Sequence, residues 1–252
     1  FATRGAAEEA RADRWHYPGT YVAGGYDRLA SEVHGRLLVH EDLVNWPNWL
    51  RLSFRPSGGA WLSLDAAQVL AHALTLDFRR GELTRRTRVR DADGRTSEIV
   101  SHRLVSMDDP HLAAIRWELV PIDWSGPIEL RVGLDGAVEN AGVARYRPLR
   151  GDHLIVEETG AADATVWLVA RTRQSRLRLA QVARTTVVDG DGAVVRSCDR
   201  LGDRVFHVFA LDAAAGRPIA LEKVVALYGD GDHAISEPLA DARDHVADAP
   251  GF

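Results

Sequence analysis

The chain has 252 residues, a net charge of −5 at neutral pH, and 46% hydrophobic against 27% charged residues. The acidic balance excludes a nucleic-acid scaffold with a basic face, and the apolar content excludes a disordered chain. No apolar run approaches the roughly 20 residues of a membrane-spanning helix.

The first thirty residues are rich in glycine and aromatics without a clear period, which predicts ordered irregular loops. From about Val33 onward period-two alternation dominates. Leu62 and Leu64, then Leu74, Leu76 and Phe78, occupy alternate positions, the mark of half-buried strands. Residues 65–70 read as a short turn or helix. Asp91-Ala92-Asp93-Gly94 sits between strands at 84–89 and 97–105 and predicts a hairpin, because Asp-Gly favours positive φ. Asp189-Gly190-Asp191-Gly192 predicts a second hairpin, between 184–188 and 193–197. Further strands are expected at 113–120, 128–134, 153–157, 165–171, 204–211 and 219–228. Turn chemistry separates them at Trp124-Ser125-Gly126-Pro127, Leu134-Asp135-Gly136 and Ala215-Gly216-Arg217-Pro218. Near the end, Ser236 is placed to cap a helix over 236–249, with Pro238 in its first turn and Leu239, Ala242 and Val246 on one face. So many strands without alternating helices predict two packed antiparallel sheets, an all-β fold.

Cys198 is the single cysteine, so no internal disulfide can form and a thiolate metal site lacks a second ligand. That fits a reducing, cytoplasmic location. Basic residues are almost all arginine, with Lys223 the sole lysine, a bias that reads as genomic and not as a functional device. The chain opens at Phe1 and closes at Gly251-Phe252 just after the helical pattern, so an excised piece of a longer protein is expected.

Several segments resemble glycoside hydrolase family 65, the family of maltose, kojibiose and trehalose phosphorylases and of acid trehalases. They are Thr3-Arg4-Gly5 with Glu8-Glu9; Trp15-His16-Tyr17-Pro18-Gly19-Thr20-Tyr21-Val22-Ala23-Gly24; and Glu41-Asp42-Leu43-Val44-Asn45-Trp46-Pro47-Asn48-Trp49-Leu50. A fourth segment combines Leu76-Asp77-Phe78-Arg79 and Gly81-Glu82-Leu83-Thr84-Arg85 with Val105-Ser106-Met107 and His111-Leu112-Ala113-Ala114, and similarity extends through Gly142-Val143-Ala144-Arg145-Tyr146-Arg147 and Thr172-Arg173-Gln174-Ser175 to Glu222-Lys223-Val224. The resemblance implies an amino-terminal β-supersandwich of the galactose-mutarotase-like kind over residues 1–235. A carboxy-terminal helix over 236–252 would begin the linker to an (α/α)6 catalytic barrel. It further implies an inverting parent enzyme acting on an α-glucosidic, trehalose-like disaccharide. Water or inorganic phosphate would be the acceptor, the latter as co-substrate and not as a bound cofactor. The general acid would lie in the barrel, so no catalytic residue is expected here. The barrel and a homodimer partner are the implied contacts.

Read by themselves, the acid pairs Glu8-Glu9, Glu41-Asp42 and Asp108-Asp109 are expected to be solvated loop charge, since neighbours on a strand point to opposite faces. The aromatic cluster Trp15, Tyr17, Tyr21, Trp46 and Trp49 suits loop packing and docking on another domain better than sugar stacking. Asp42, Asn45 and Asn48 stand beside it as hydrogen-bonding candidates. Arg4 is expected to anchor its loop through a salt bridge to Glu8. The ten histidines, among them His34, His40, His72, His153, His207 and His233, show no paired ligand spacing, so no metal is expected. Asp230-Gly231-Asp232 lacks the remaining ligands of a calcium loop. Two rival readings stay open: a free-standing carbohydrate-binding module, and a mutarotase-like epimerase needing His153 and Glu157 to converge.

Overall fold

A computed structural model describes residues 1–4, 7–9, 17–141, 148–190, 195–232 and 237–252. Its short first strands, β1 (Ala2–Thr3) and β2 (Thr20–Tyr21), pair with each other. The hairpin β3 (Tyr26–Val33) and β4 (Arg36–Leu43) stands as a separate two-stranded ribbon. Then follow β5 (Leu52–Pro56), β6 (Gln68–Asp77), β7 (Glu82–Arg90), β8 (Thr96–Val105), β9 (Leu112–Pro121) and β10 (Gly126–Asp135). The second half supplies β11 (Leu154–Ala162), β12 (Thr165–Thr172), β13 (Arg178–Asp189), β14 (Val195–Arg200), β15 (Arg204–Ala213) and β16 (Ile219–Gly229), closed by α1 (Pro238–Asp248).

An eight-stranded sheet runs β11-β12-β13-β16-β9-β8-β7-β6, and a four-stranded sheet runs β14-β15-β10-β5. All pairings within both sheets are antiparallel. Their facing side chains form one core, to which Leu130, Val132 and Phe209 contribute from the smaller sheet and Ile99, Trp117, Leu168 and Leu221 from the larger. Apolar area removed from water at about 25 cal/mol per Å² makes this the main driving force for folding. The expected two-sheet, all-β architecture with a carboxy-terminal helix is the one found.

The central strand β16 shows how the layers are coded. Ile219, Leu221, Val225 and Leu227 face the smaller sheet, whereas Val224 and Ala226 face α1, so nearly every residue is buried. A strand covered on both faces loses its polar alternation. Helix α1 buries Ala242 and Val246 against that outer face. Its N-cap is Glu237, without a side-chain cap bond, while Ser236 lies outside the described residues. The stretch expected as turn or helix at 65–70 is a turn that leads straight into β6.

Leu62 and Leu64, expected on a strand, lie in none, and the expected irregular loop over the first thirty residues gives way to β3 from Tyr26. Two further expectations fail. The predicted hairpin at 189–192 does not exist: β13 pairs with β12 and β16, whereas β14 pairs with β15 in the other sheet. The connection therefore crosses between sheets; residues 191–194 are outside the described set. Local turn chemistry can specify a reversal, but it cannot say whether the next strand returns to the same sheet. The second failure is burial on β6, which is exposed along its length, with Leu74 at 56% and Leu76 at 48%. Its alternation is real but its strand lies at the sheet edge, beyond the reach of the smaller sheet. By contrast, the Asp91–Gly94 hairpin forms as predicted, with Gly94 at φ 84° and Arg90 paired to Thr96.

A candidate interdomain loop over a buried charge network

The amino-terminal strands, the loop after β4 and the carboxy-terminal end of β10 with the residues that follow it meet at one end of the sandwich. Asn45 organises the meeting. Its Oδ1 accepts from Thr20 N at 2.9 Å, and its Nδ2 donates to Pro18 O and Glu139 O at 3.1 and 3.2 Å. Its backbone N–H donates to Asn140 Oδ1 at 2.8 Å, and Asn140 Nδ2 donates in turn to Leu43 O. Asn48 exchanges backbone bonds with Asp135 at 2.8 and 3.0 Å and accepts from Leu50 N through its side chain. Both asparagines are buried, and buried amides demand such partners. Their hydrogen bonds hold backbone in place.

Trp46 and Trp49 are 2% and 0% exposed and belong to the main core. They pack inward and offer no face to a sugar, as loop packing requires. Phe1 meets the Trp49 ring edge-on at 6.3 Å. Tyr17 and Tyr21 are half-buried, with Tyr21 Oη donating to Tyr17 Oη at 3.4 Å and Ala141 N donating to Tyr17 Oη at 3.1 Å. Burial, with the Tyr17 hydroxyl beside it, pushes the Tyr21 phenol well above its usual range; Arg4 opposes this. Trp15 and His16 lie outside the described residues, as do Gly5 and residues 142–147.

Beneath this loop lies a charge network that the sequence reading placed in solvent. Glu8 and Glu9 are 0% and 3% exposed. Glu8 Oε2 accepts from Arg85 Nε at 3.0 Å and Nη2 at 2.5 Å, while its Oε1 accepts from Arg103 Nη2. Glu9 accepts from Arg85 Nη2 at 2.9 and 3.0 Å and from Trp117 Nε1 at 3.1 Å. Burial pushes the Glu8 carboxyl up, but the Arg85 and Arg103 guanidiniums more than reverse this and hold it at about 2. The expected Arg4–Glu8 salt bridge is thus replaced. Arg4 is exposed, its guanidinium 5.1 Å from the Tyr17 ring centre, and it stays outside the network except through its carbonyl, which Arg103 Nη1 reaches.

Lys223 completes the network from β16. It is fully buried, and its ammonium donates to Trp49 O and, at 2.6 Å, to Gly133 O. Burial, together with nearby Arg51, pushes the ammonium down to about 7, opposed by Glu8. Gly133 fits this crowded point because a Cβ there would stand 1.9 Å from Val205 O. Sequence reasoning missed Arg85, Arg103 and Lys223, although a signal existed. Arg85 shares its strand face with Thr87 and Val89, and Arg103 shares its face with Ile99 and Ser101, so alternation pointed both guanidiniums inward.

The remaining candidates separate. Glu41 pairs with Arg28 on the outside of the β3–β4 ribbon. Asp42 turns the other way, its Oδ2 lying 3.2 Å from His153 Nε2 and 3.3 Å from His40 Nε2. The expectation of scattered histidines fails for His40 and His153, which only the packing of the ribbon against residue 153 brings together. His153 and Glu157 do not converge: His153 is buried, whereas Glu157 pairs with Arg171 and Arg178 near the surface. Asp109 binds His245 of α1, and Asp230 and Asp232 accept from the backbone of Arg178 and Gly229.

The comparisons fit this layout. The family described as glycosyl hydrolase family 65, N-terminal domain, matches residues 1–252. An uncharacterised glycosyl hydrolase of Mycobacterium tuberculosis is 39% identical over 238 residues, 92% of this chain and 18% of that protein. A kojibiose phosphorylase of Caldanaerobacter subterraneus is 30% identical over 70% of this chain and 22% of its own length. A trehalose 6-phosphate phosphorylase of Lactococcus lactis is 26% identical over 89% of this chain and 28% of its own. The chain thus spans between 18% and 28% of the length of these relatives. A solved putative kojibiose phosphorylase from the human microbiome shares the fold, with a TM-score of 0.79 and 18% identity over 97% of this chain and 31% of that one. No helix among the described residues is long and apolar enough to cross a membrane. With the family matched from first residue to last, the chain belongs to glycosyl hydrolase family 65, as its N-terminal domain.

Proposed function

We propose that this domain is a non-catalytic scaffold within a longer inverting enzyme that cleaves an α-glucosidic disaccharide, and that it walls the substrate pocket of the catalytic barrel. The observation that carries the reading is the fate of the candidate sugar-binding residues. Trp46 and Trp49 are core, and Asn45 and Asn48 spend their hydrogen bonds on backbone. Inversion needs a protonated carboxyl on one face of the bond and an activated nucleophile on the other. Glu8 and Glu9 are buried and commit their oxygens to Arg85, Arg103 and Trp117, out of reach of a substrate. Relatives named as disaccharide phosphorylases, each several times longer than this chain, support placing that chemistry elsewhere.

Exposed apolar surface supports a domain made to be covered. Leu37 and Val39 on the ribbon and Phe78 beyond β6 are 72%, 69% and 88% exposed. Leu37 and Val39 lie two apart and share one face of the ribbon, an apolar surface that suits contact with other protein. The full-length protein, incubated with kojibiose, trehalose or maltose, is expected to consume one of them. Dependence on inorganic phosphate separates phosphorolysis from hydrolysis. Calorimetry of the 252-residue chain with the same sugars is expected to be silent. Saturable heat lost on Tyr17→Ala would replace the scaffold with a carbohydrate-binding module.

A further inference from the structure

Where the β3–β4 ribbon packs against the start of β11, three side chains from distant segments present ligand atoms to one point. His40 and Asp42 lie two apart on β4 and therefore share a face. His153 enters from the segment before β11, and all three ligand atoms lie within 4.8 Å of one another. The Asp42 Oδ2–His153 Nε2 and Asp42 Oδ2–His40 Nε2 separations are 3.2 and 3.3 Å. Ligands about 2.0–2.1 Å from a tetrahedral zinc ion stand roughly 3.3 Å apart. The carbonyl of Arg150 accepts from His40 Nε2 at 3.1 Å, so a metal ion bound by that nitrogen would displace its proton.

The hydrogen-bond inventory sharpens the point. Asp27 is fully buried, and its Oδ1 accepts from Gln174 N at 3.0 Å and Ser175 N at 2.7 Å. Its Oδ2 faces His153 Nδ1 at 3.1 Å. A carboxylate so placed only accepts, so Nδ1 carries the proton. In neutral imidazole Nε2 is then a bare lone pair, and it faces Asp42 Oδ2, another acceptor. Two acceptors at 3.2 Å need a positive charge between them, either a second proton on the ring or a metal ion. A carboxylate holding the far nitrogen of a histidine in one tautomer is the usual outer support of a metal ligand. The two carboxylates, Asp27 and Asp42, match a divalent charge.

We propose that His40 Nε2, Asp42 Oδ2 and His153 Nε2 form a structural divalent-metal site of the zinc class, with Asp27 as its outer support. The ion staples the exposed β3–β4 ribbon to the eight-stranded sheet. Two imidazoles and one carboxylate suit zinc and its transition-metal neighbours better than calcium or magnesium, which favour oxygen alone.

The test is to strip the full chain with a chelator, titrate it with zinc chloride and count bound metal by equilibrium dialysis and elemental analysis. One zinc per chain is expected, with a rise in Tm and with cobalt(II) giving the intense visible bands of a tetrahedral site. Asp42→Asn and His40→Ala, whose side chains are partly exposed, should keep the fold by circular dichroism and lose both the ion and the rise in Tm. Asp27→Asn should weaken binding by about 10- to 100-fold. Sub-stoichiometric binding overturns the proposal, as does zinc uptake that neither His40→Ala nor Asp42→Asn reduces. So does a His153 ring that NMR shows protonated on both nitrogens in the presence of excess zinc.

Discussion

At the scale of single residues, this domain stores charge in its core. Glu8 sits between two guanidiniums with no access to water, so removing its charge takes a buried carboxylate from both. Glu8→Gln is expected to cost about 3–5 kcal/mol at pH 7, read from urea denaturation. Because the folded carboxyl titrates near 2 against 4.5 unfolded, its contribution is complete above 4.5 and fades as the pH falls toward 2. The penalty of the variant should shrink over that window. Lys223 has the opposite dependence. Its ammonium is depressed to about 7 against 10.5 unfolded, so the unfolded chain binds more protons between those values. Stability therefore rises with pH from 7 toward 10.5. Lys223→Met should lose that slope when denaturation midpoints are compared at pH 7 and 9.5. A midpoint for the wild type that falls over this range contradicts the assignment. Both effects come from residues whose identity suggested solvent; Lys223 points inward by its strand register, whereas Glu8 lies in a turn.

At the scale of elements, the loop at 44–50 and helix α1 are fixed by different means. The loop is tied by Asn45 and Asn48, by Gln181 Nε2 donating to Pro47 O at 2.9 Å, and by Lys223. Trp49→Ala is expected to destabilise by about 3–5 kcal/mol, since a large buried ring leaves a cavity. Helix α1 is held by Ala242 and Val246 and by a clasp in which Tyr228 Oη meets His245 Nδ1 at 2.7 Å and His245 Nε2 meets Asp109 at 2.8 Å. Arg184 adds guanidinium bonds to Ala247 O and Ala249 O at the helix end. Val246→Asp puts an unpaired charge into that contact. It should speed hydrogen exchange across 239–248 while leaving the β13 and β16 amides protected, with loss of protection in the sheet as the contrary result. The helix was legible from its 3.6-residue period, whereas the clasp was not, because Asp109 lies on the other side of β9 in sequence.

At the scale of the whole molecule, a broad sheet is covered on part of each face and left open at one edge. The backbone of the smaller sheet comes closest to β11, β12 and β13, and α1 reaches β13 and β16, while β6 at the opposite edge stays exposed. Leu76→Ser and Phe78→Ser should change the stability of this chain by less than about 0.5 kcal/mol, since neither side chain is buried. If that edge is an assembly surface, the same pair should alter the oligomeric state of the full-length protein in light scattering. An unchanged mass would remove β6 from the contact. The ribbon β3–β4 is the other projecting part. Outside the point where His40, Asp42 and His153 meet, it gives the solvent most of its β4 side chains.

Residue pattern alone specified most strands from β6 onward, the Asp-Gly hairpin at 91–94, the closing helix and the family, because these rest on local period, turn chemistry and ordered identities. It did not determine which strands share a sheet, so the connection at 189–192 was misread and β6 was given a cover it lacks. Tertiary structure alone decided which charges are buried and which histidines meet. Glu8 reaches Arg85 across 77 residues, and His153 reaches Asp42 across 111. Contacts of that range depend on how two sheets stack, and no local pattern carries the stacking.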